Sequence, residues 1–381
     1  MVAFGPWSTT LALGMGFGTL VAVLLFSSDN NRAANRCLAA FLIVLVLKLA
    51  PYALGFAGFY DAYPWLSFAP FSVGLALGPL LYLHVLRLTS SHFPRHWGWH
   101  LAPAALQLAY YLVMFVQPLP VKDWWNARVQ EPWLSPAESA AELAMLGVYL
   151  ALSIQHYRQY QAWLDAHLSN SEDYRLPWLR NALVALAVVL PALVAYEVAS
   201  AALDFNYFQR YPLYLVVTAL VLYLGLEGWR NADRRYPVRE DEPAAPGNDD
   251  PPVLGASQAS AGHDWKQQGE HWYAQLETAG WWRDPELSLD RLARHLGTNT
   301  RYLSRAFNDG LGLSFNTAVN RLRITAIQRE LANPGETREM MALAHAAGFS
   351  SKTSFHRLFK AATGMTPAQF RAGAWLDSAK P

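Results

Sequence analysis

Two clusters of hydrogen-bond donors are the residues best placed for chemistry in this 381-residue chain. Arg301, Ser304, Arg305 and Asn308 recur at helical spacing in the first; Thr353, His356, Arg357 and Lys360, flanked by Lys352, do so in the second. Neither stripe contains a carboxylate. Arginine and lysine donate to guanine O6 and N7, and serine or threonine pairs with several base edges, so such stripes suit the DNA major groove. For either stripe alone, a solvated basic helix face is the plain alternative. Two in register, each behind its own positioning helix, favour base reading.

The positioning helices follow from periodicity. Leu289, Leu292, Ala293 and Leu296 fall at i, i+3, i+4 and i+7, giving a short helix that Gly297 stops. Met340, Leu343, Ala344 and Ala347 repeat the spacing 51 residues later, and Gly348 follows. Asn299 before Thr300 and Ser350 before Ser351 are the expected caps of the second helix in each copy. Leu303, Ala306 and Phe307 then point inward in one copy, and Phe355, Leu358 and Phe359 in the other. Between the copies, Phe315 to Ala332 reads as a spacer helix with Ser314 as N-cap and Asn333-Pro334-Gly335 as its stop. Its length, roughly 27 Å, would help set the two donor helices about one DNA turn, on the order of 34 Å, apart.

The run LSLDRLARHLGTNTRYLSRAFNDGLGLSF, then NRLRI, then AHAAGFSSKTSFHRLFKAATGMTPAQFR resembles the DNA-binding domain of the AraC/XylS family of bacterial transcription regulators. Gly348-Phe349-Ser350, Phe359-Lys360, Gly364-Met365-Thr366-Pro367 and Phe370-Arg371 stand in the family's order. The resemblance implies a double helix-turn-helix, with base contacts from Arg301, Ser304 and Arg305 in one half and from Lys352, Thr353, His356 and Arg357 in the other. It also implies double-stranded DNA and RNA polymerase as partners. Ile327 and Glu330 depart from it, standing where the family usually has alanine and leucine.

The rest of the chain has another character. Residues 265–381 hold 15 Lys and Arg against 10 Asp and Glu, a net charge of +5 that suits a phosphate-binding module. Residues 1–230 are apolar runs separated by short polar stretches, each near the length needed to cross a bilayer. Seven are expected: Thr9 to Phe26, Leu38 to Phe56, Trp65 to Leu86, Trp99 to Val116, Ala140 to Ile154, Asn181 to Leu203 and Pro212 to Leu226. The fifth is the shortest, though extending it to Glu138 and Tyr157 brings it to spanning length, and Gly78-Pro79 should kink or break the third. Buried helices of a large soluble protein are the alternative. Tryptophan argues against it, since Trp7, Trp65, Trp97, Trp99, Trp124, Trp125, Trp133, Trp163, Trp178 and Trp229 lie at run ends or in connections, as an interfacial belt requires.

Charge orients the spans. With the N-terminus outside, the inner loops carry Arg32, Arg36, Arg87, Arg95, Arg158, Arg175, Arg180, Arg230, Arg234 and Arg235, and the outer loops only Lys122, Arg128 and Arg210. The C-terminal part is then cytoplasmic, at a bacterial inner membrane. No Lys or Arg precedes the first span, so a cleaved signal peptide is not expected. Within the spans, Lys48 and Glu197 are the candidate sensor residues, because ionisable groups there are costly and usually face a bundle interior. The alternative is that Lys48 snorkels and Glu197 reaches the outer headgroups. His84 should sit near the inner interface, and Glu138 and Glu142 add polar character to the outer face.

Catalysis has little support: Cys37 is the single cysteine, and no Walker loop, dinucleotide-binding glycine pattern or HExxH occurs. No cofactor or metal is expected. Residues 231–264, with five prolines and two acidic clusters, read as a disordered linker too broken to transmit twist, so the spans are expected to act by bringing two copies of the DNA-binding domain together or apart, as in a homodimer. Trp265 to Trp282 reads as a helix. The expected protein is all-α: a seven-helix transmembrane domain (1–230), a linker (231–264) and a cytoplasmic double helix-turn-helix domain (265–381). It is a non-enzymatic regulator, with a small-molecule, lipid or protein signal left open. A membrane transporter or membrane enzyme carrying a DNA-binding regulatory tail is the alternative.

Overall fold

A computed structural model describes residues 2–203, 205–238, 264–333 and 335–378, and is helical throughout, with no strand among them. The expected linker lies outside the described residues from 239 to 263. Two units form: Met1–Arg158 with Leu176–Asp241, and Gln159–Arg175 with Glu242–Pro381.

The helices that open the chain are α1 (Pro6–Ser27), α2 (Arg32–Phe56), α3 (Phe59–Ala62), α4 (Leu77–Thr89), α5 (Ala102–Phe115), α6 (Leu119–Trp125), α7 (Ser135–His167), α8 (Pro177–Ala202) and α9 (Tyr211–Asn231). Among the described residues, five stretches are long and apolar enough to cross a membrane: Pro6–Ser27, Arg32–Phe56, Leu119–His167, Pro177–Ser200 and Tyr207–Asn231. Seven comparable spans are therefore not supported. The third expected run is broken, passing through single turns at Pro64–Leu66 and Gly74–Ala76 before α4 begins. Pro79 does not kink a span; it is the third residue of α4, in the first turn, where its missing N–H leaves no helical bond unmade. The fourth run forms the 14-residue α5, roughly 21 Å long against a hydrocarbon core of about 30 Å. The fifth, expected to be the shortest, is the 33-residue α7, which continues α6 through a π-helical stretch at Asn126–Leu134.

Lys122 explains how the broken run is tolerated. Expected as an outer-loop cation, it is buried on α6, and its Nζ donates to the carbonyls of Trp65 and Ser67 at 2.9 Å each, over the Phe115 ring. Those carbonyls have no helix to satisfy them, and the ammonium takes its place.

Helices α1, α2 and α9 form a close-packed layer. Asn31 donates to the carbonyls of Ala232 and Arg234, and Asn35 to that of Ala232, which ties the end of α1 and the start of α2 to the end of α9. At the other end Trp7 stacks on Tyr211 and packs edgewise on Phe56. Helices α1 and α9 thus run in the same direction, with α2 reversed between them. Glycines permit the approach: a Cβ at Gly18 would lie 2.6 Å from Val221 Cγ1 and 2.8 Å from Val46 Cγ2.

The C-terminal helices are α10 (Trp265–Ala279), α11 (Leu289–His295), α12 (Thr300–Arg305), α13 (Phe315–Leu331), α14 (Met340–Ala346), α15 (Lys352–Thr363) and α16 (Pro367–Ser378). Helix α10 ends earlier than expected, at Gly280, whose φ of +70° turns the chain into Trp281–Arg283. One core runs through the unit, from Leu276 and Trp282 through Leu292, Leu303 and Phe307 to Ile327, Leu343, Phe355 and Phe359. Ile327 is buried in it, and Glu330 faces solvent against Arg338.

The glycine contacts make a stability prediction. Replacing Gly18 by Val should force α1 off α2 and α9 and lower the unfolding free energy of the detergent-solubilised chain by about 1–3 kcal/mol. Gly16, with nothing within 4 Å of a Cβ, is the control: Gly16→Ala should leave the thermal midpoint unchanged or raised. Equal midpoints for Gly18→Val and the parent would refute the packing.

Candidate nucleic-acid interface

Each donor stripe is built the same way from the core outward. In the first copy the Ser288 hydroxyl accepts from the Arg291 amide and caps α11, whose Leu289, Leu292 and Ala293 are buried. Gly297, at φ +65°, makes the turn. Asn299 then caps α12 by accepting from the Tyr302 amide at 2.8 Å. With Leu303, Ala306 and Phe307 fully buried, the helix has one possible rotation about its axis, and Arg301, Arg305 and Asn308 are left exposed, with Ser304 partly so.

The second copy repeats this with one shift. Gly348 turns the chain at φ +87°, in a place where a Cβ would lie 2.6 Å from the Arg283 carbonyl oxygen. The cap is Ser351, not the expected Ser350: the backbone is extended at Ser351, whose hydroxyl accepts from the Ser354 amide, while Ser350 Oγ donates to Asp173. Phe355 and Phe359 are buried, Leu358 is partly so, and Lys352, Thr353, Arg357 and Lys360 are exposed. His356 is half-buried, its ring edge-on to Phe355. The spacer α13, capped by Ser314, has 17 residues, about 26 Å of helix between the two halves.

In sequence the stripes lack carboxylates; in space they do not. Arg305 Nε donates to Asp309 at 3.3 Å, one turn further along, and its guanidinium lies over the Trp265 ring. Ser304 Oγ accepts from Asn308. Arg357 pairs with Glu172 at 2.6 Å, a partner that helical spacing has no means of finding because it comes from a distant part of the chain. The structure thus holds Arg305 and Arg357 by carboxylates, and leaves Arg301, Lys352 and Thr353 open to solvent.

Lys48 and Glu197 do not pair with each other. Lys48, on α2, forms an ion pair with Glu142 of α7, which also accepts from Gln107 of α5 at 3.2 Å. Tyr111 donates to Glu138 one turn earlier. Glu197, on α8, lies 3.9 Å from Arg210. Both candidates nevertheless line one cleft, whose remaining walls are mostly leucine and valine, with Tyr214. A mostly apolar cleft with a few convergent charges is the usual form of a small-molecule site. His84, expected near the inner interface, is 2% exposed, with Nδ1 at 2.8 Å from the carbonyl of Ala34 in the first turn of α2. No group of three or more His, Cys, Asp or Glu able to hold a metal ion occurs among the described residues.

Comparison with known proteins bears on the C-terminal unit alone. Residues 292–373 match a family described as a helix-turn-helix domain. Over 86 residues the chain is 38% identical to uncharacterized HTH-type transcriptional regulators of Staphylococcus aureus, strains COL and MSSA476, a stretch covering 23% of this chain and 11% of each relative. Over 85 residues it is 32% identical to the HTH-type transcriptional activator AarP of Providencia stuartii, covering 22% of this chain and 62% of that one. The chain thus spans 11% of the length of these staphylococcal relatives. No solved structure matches significantly. Geometry and comparison agree that the segment from α11 to α16 is a helix-turn-helix domain.

Proposed function

We propose that this protein is a membrane-integral, sequence-specific DNA-binding transcription regulator of the AraC/XylS type. The observation that carries the reading is the pair of capped helices, α12 and α15, presenting donor-rich faces from one shared core. Arg301, Ser304, Arg305, Lys352, Thr353, His356 and Arg357 are the proposed base-contacting residues, with double-stranded DNA as ligand and RNA polymerase as protein partner. The printed names of the relatives, HTH-type regulators and an activator, support regulation of transcription.

Membrane insertion rests on the apolar helices and the charge bias. An odd number of crossings, from the five long helices or from seven if α4 and α5 both cross, puts the two ends of the chain on opposite sides; the helix-turn-helix domain is placed in the cytoplasm, where DNA is, and the N-terminus outside. The cleft holding Lys48, Glu142 and Glu197 is the proposed sensor site, suited to an amphiphile with an apolar body and a polar head. A homodimer, which would place two domains on adjacent half-sites, is part of the proposal.

Base reading is tested on sites recovered by crosslinking the protein to the chromosome. Arg301→Ala should cost about 1–3 kcal/mol at those sites and relax preference at particular base pairs. Equal loss on random duplex would mark Arg301 as a phosphate contact and remove it from the base-reading set. Topology is tested by a reporter enzyme active only outside the cytoplasm: fused after Lys122 it should work, and after Arg235 it should fail. The reverse pattern would overturn the orientation. For the cleft, mass spectrometry of the chain purified in mild detergent should find a retained amphiphile that Lys48→Met sheds. Equal retention by parent and variant would rule out Lys48 as its anchor.

A further inference from the structure

Residues 168–174, which join α7 to α8 in the chain, fold with the helix-turn-helix unit, and the match is specific. Leu168 pairs with Ser288 in an isolated antiparallel bridge, and the Ser169 amide donates to the Leu287 carbonyl. From α13, Asn316 donates to the carbonyls of Leu168 and Ser169 at 2.9 and 2.8 Å. One turn on, Asn320 donates to the Ser169 carbonyl, and Arg323 donates to Ser169 Oγ and Asn170 Oδ1. Asn170 returns donors to the carbonyls of Pro285 and Gly348. Ser169 and Ser171 are 1% and 0% exposed.

What this seat delivers is charge. The Asp173 carboxylate accepts from the hydroxyls of Ser350 and Ser354 at the start of α15, and Glu172 accepts from Arg357 on its outer face. Two acidic side chains thus occupy the positive end of the helix and its one arginine, places that a DNA phosphate and a base edge would take.

We infer that the face formed by α13, the turn after α10 and the start of α15 is a docking surface for the chain's own acidic segment 168–174, and that docking there excludes DNA from α15. The inference rests on the reading of α15 as a DNA-facing helix. Arg357 cannot serve Glu172 and a guanine together, and the two carboxylates repel an incoming backbone. Because the segment lies between α7 and α8, a rearrangement of those helices alters the docking without passing through residues 239–263.

The experiment uses the full chain in detergent micelles and a fluorescent 40-base-pair duplex carrying a site recovered by crosslinking to the chromosome. The double variant Glu172→Gln, Asp173→Asn should bind the duplex about tenfold more tightly than the parent at low salt. Arg357→Ala, made on that background, should reverse much of the gain. A second pair, Asp173→Cys with Ser350→Cys, joined by a short reducible bis-thiosulfonate linker, should lose duplex binding and recover it on reduction. Unchanged affinity in the double variant, with Arg357→Ala still weakening it, would overturn the docking inference and leave DNA reading by α15 intact. Insensitivity to Arg357→Ala as well would overturn both. Failure of the linker to form, or undiminished binding once it has formed, would also refute the docking.

Discussion

The guanidinium of Arg323 is the interaction on which the C-terminal unit depends. It is fully buried at the middle of α13, and it donates to the carbonyls of Trp282 and Asp284 and to the side chains of Ser169 and Asn170. Burial pulls its pKa down to about 10, so it is still charged at neutral pH. A buried charge is tolerated only when its donors are used, and here two backbone carbonyls and two side-chain oxygens use them. The turn after α10 is thereby held against α13, and the Arg283 carbonyl of that turn lies where only a glycine at 348 fits. Through this sequence of contacts one side chain of the spacer is linked to the turn of the second helix-turn-helix.

The C-terminal fold was legible in the sequence wherever the pattern is local. Leu292, Leu303, Phe307, Phe355 and Phe359 occupy the core positions that helical periodicity assigns, and Gly297 and Gly348 turn the chain at positive φ. Asn299 and Ser314 cap the helices expected of them. What the pattern did not contain is set by distance along the chain. No spacing rule connects Glu172 to Arg357, or Lys48 to Glu142, because each pair joins elements far apart in sequence. The error over Ser350 is of a different kind: either serine can cap, and the extended backbone at Ser351 decides.

In the N-terminal unit, hydropathy located apolar segments and misjudged their form. A window average cannot see that Pro70 and Gly74 break up one run, nor that Lys122, which lowers the average of its own neighbourhood, is the residue that makes the break tolerable by capping carbonyls. The same averaging truncated α7, because Glu138, Glu142, Arg158 and Gln161 dilute the apolar signal of a helix that runs unbroken from Ser135 to His167. The polar residues that obscured it are partly those that meet Lys48 and Gln107. Composition hid the helix for the reason that makes it of functional interest.

The layer of α1, α2 and α9 has a consequence for the order in which the protein can be assembled. Its first two members are made together, but α9 begins about 155 residues after α2 ends. At ordinary elongation rates that is a delay on the order of ten seconds. Throughout it, the glycine face of α1 that will receive Val221 and Thr218 has no occupant from its own fold. The α1–α2 hairpin must therefore persist on its own until α9 is made, and the layer closes only as the ribosome turns to the segment ahead of the helix-turn-helix. The helices from α11 onward follow α9 in the chain, so they are made only after the last member of that layer.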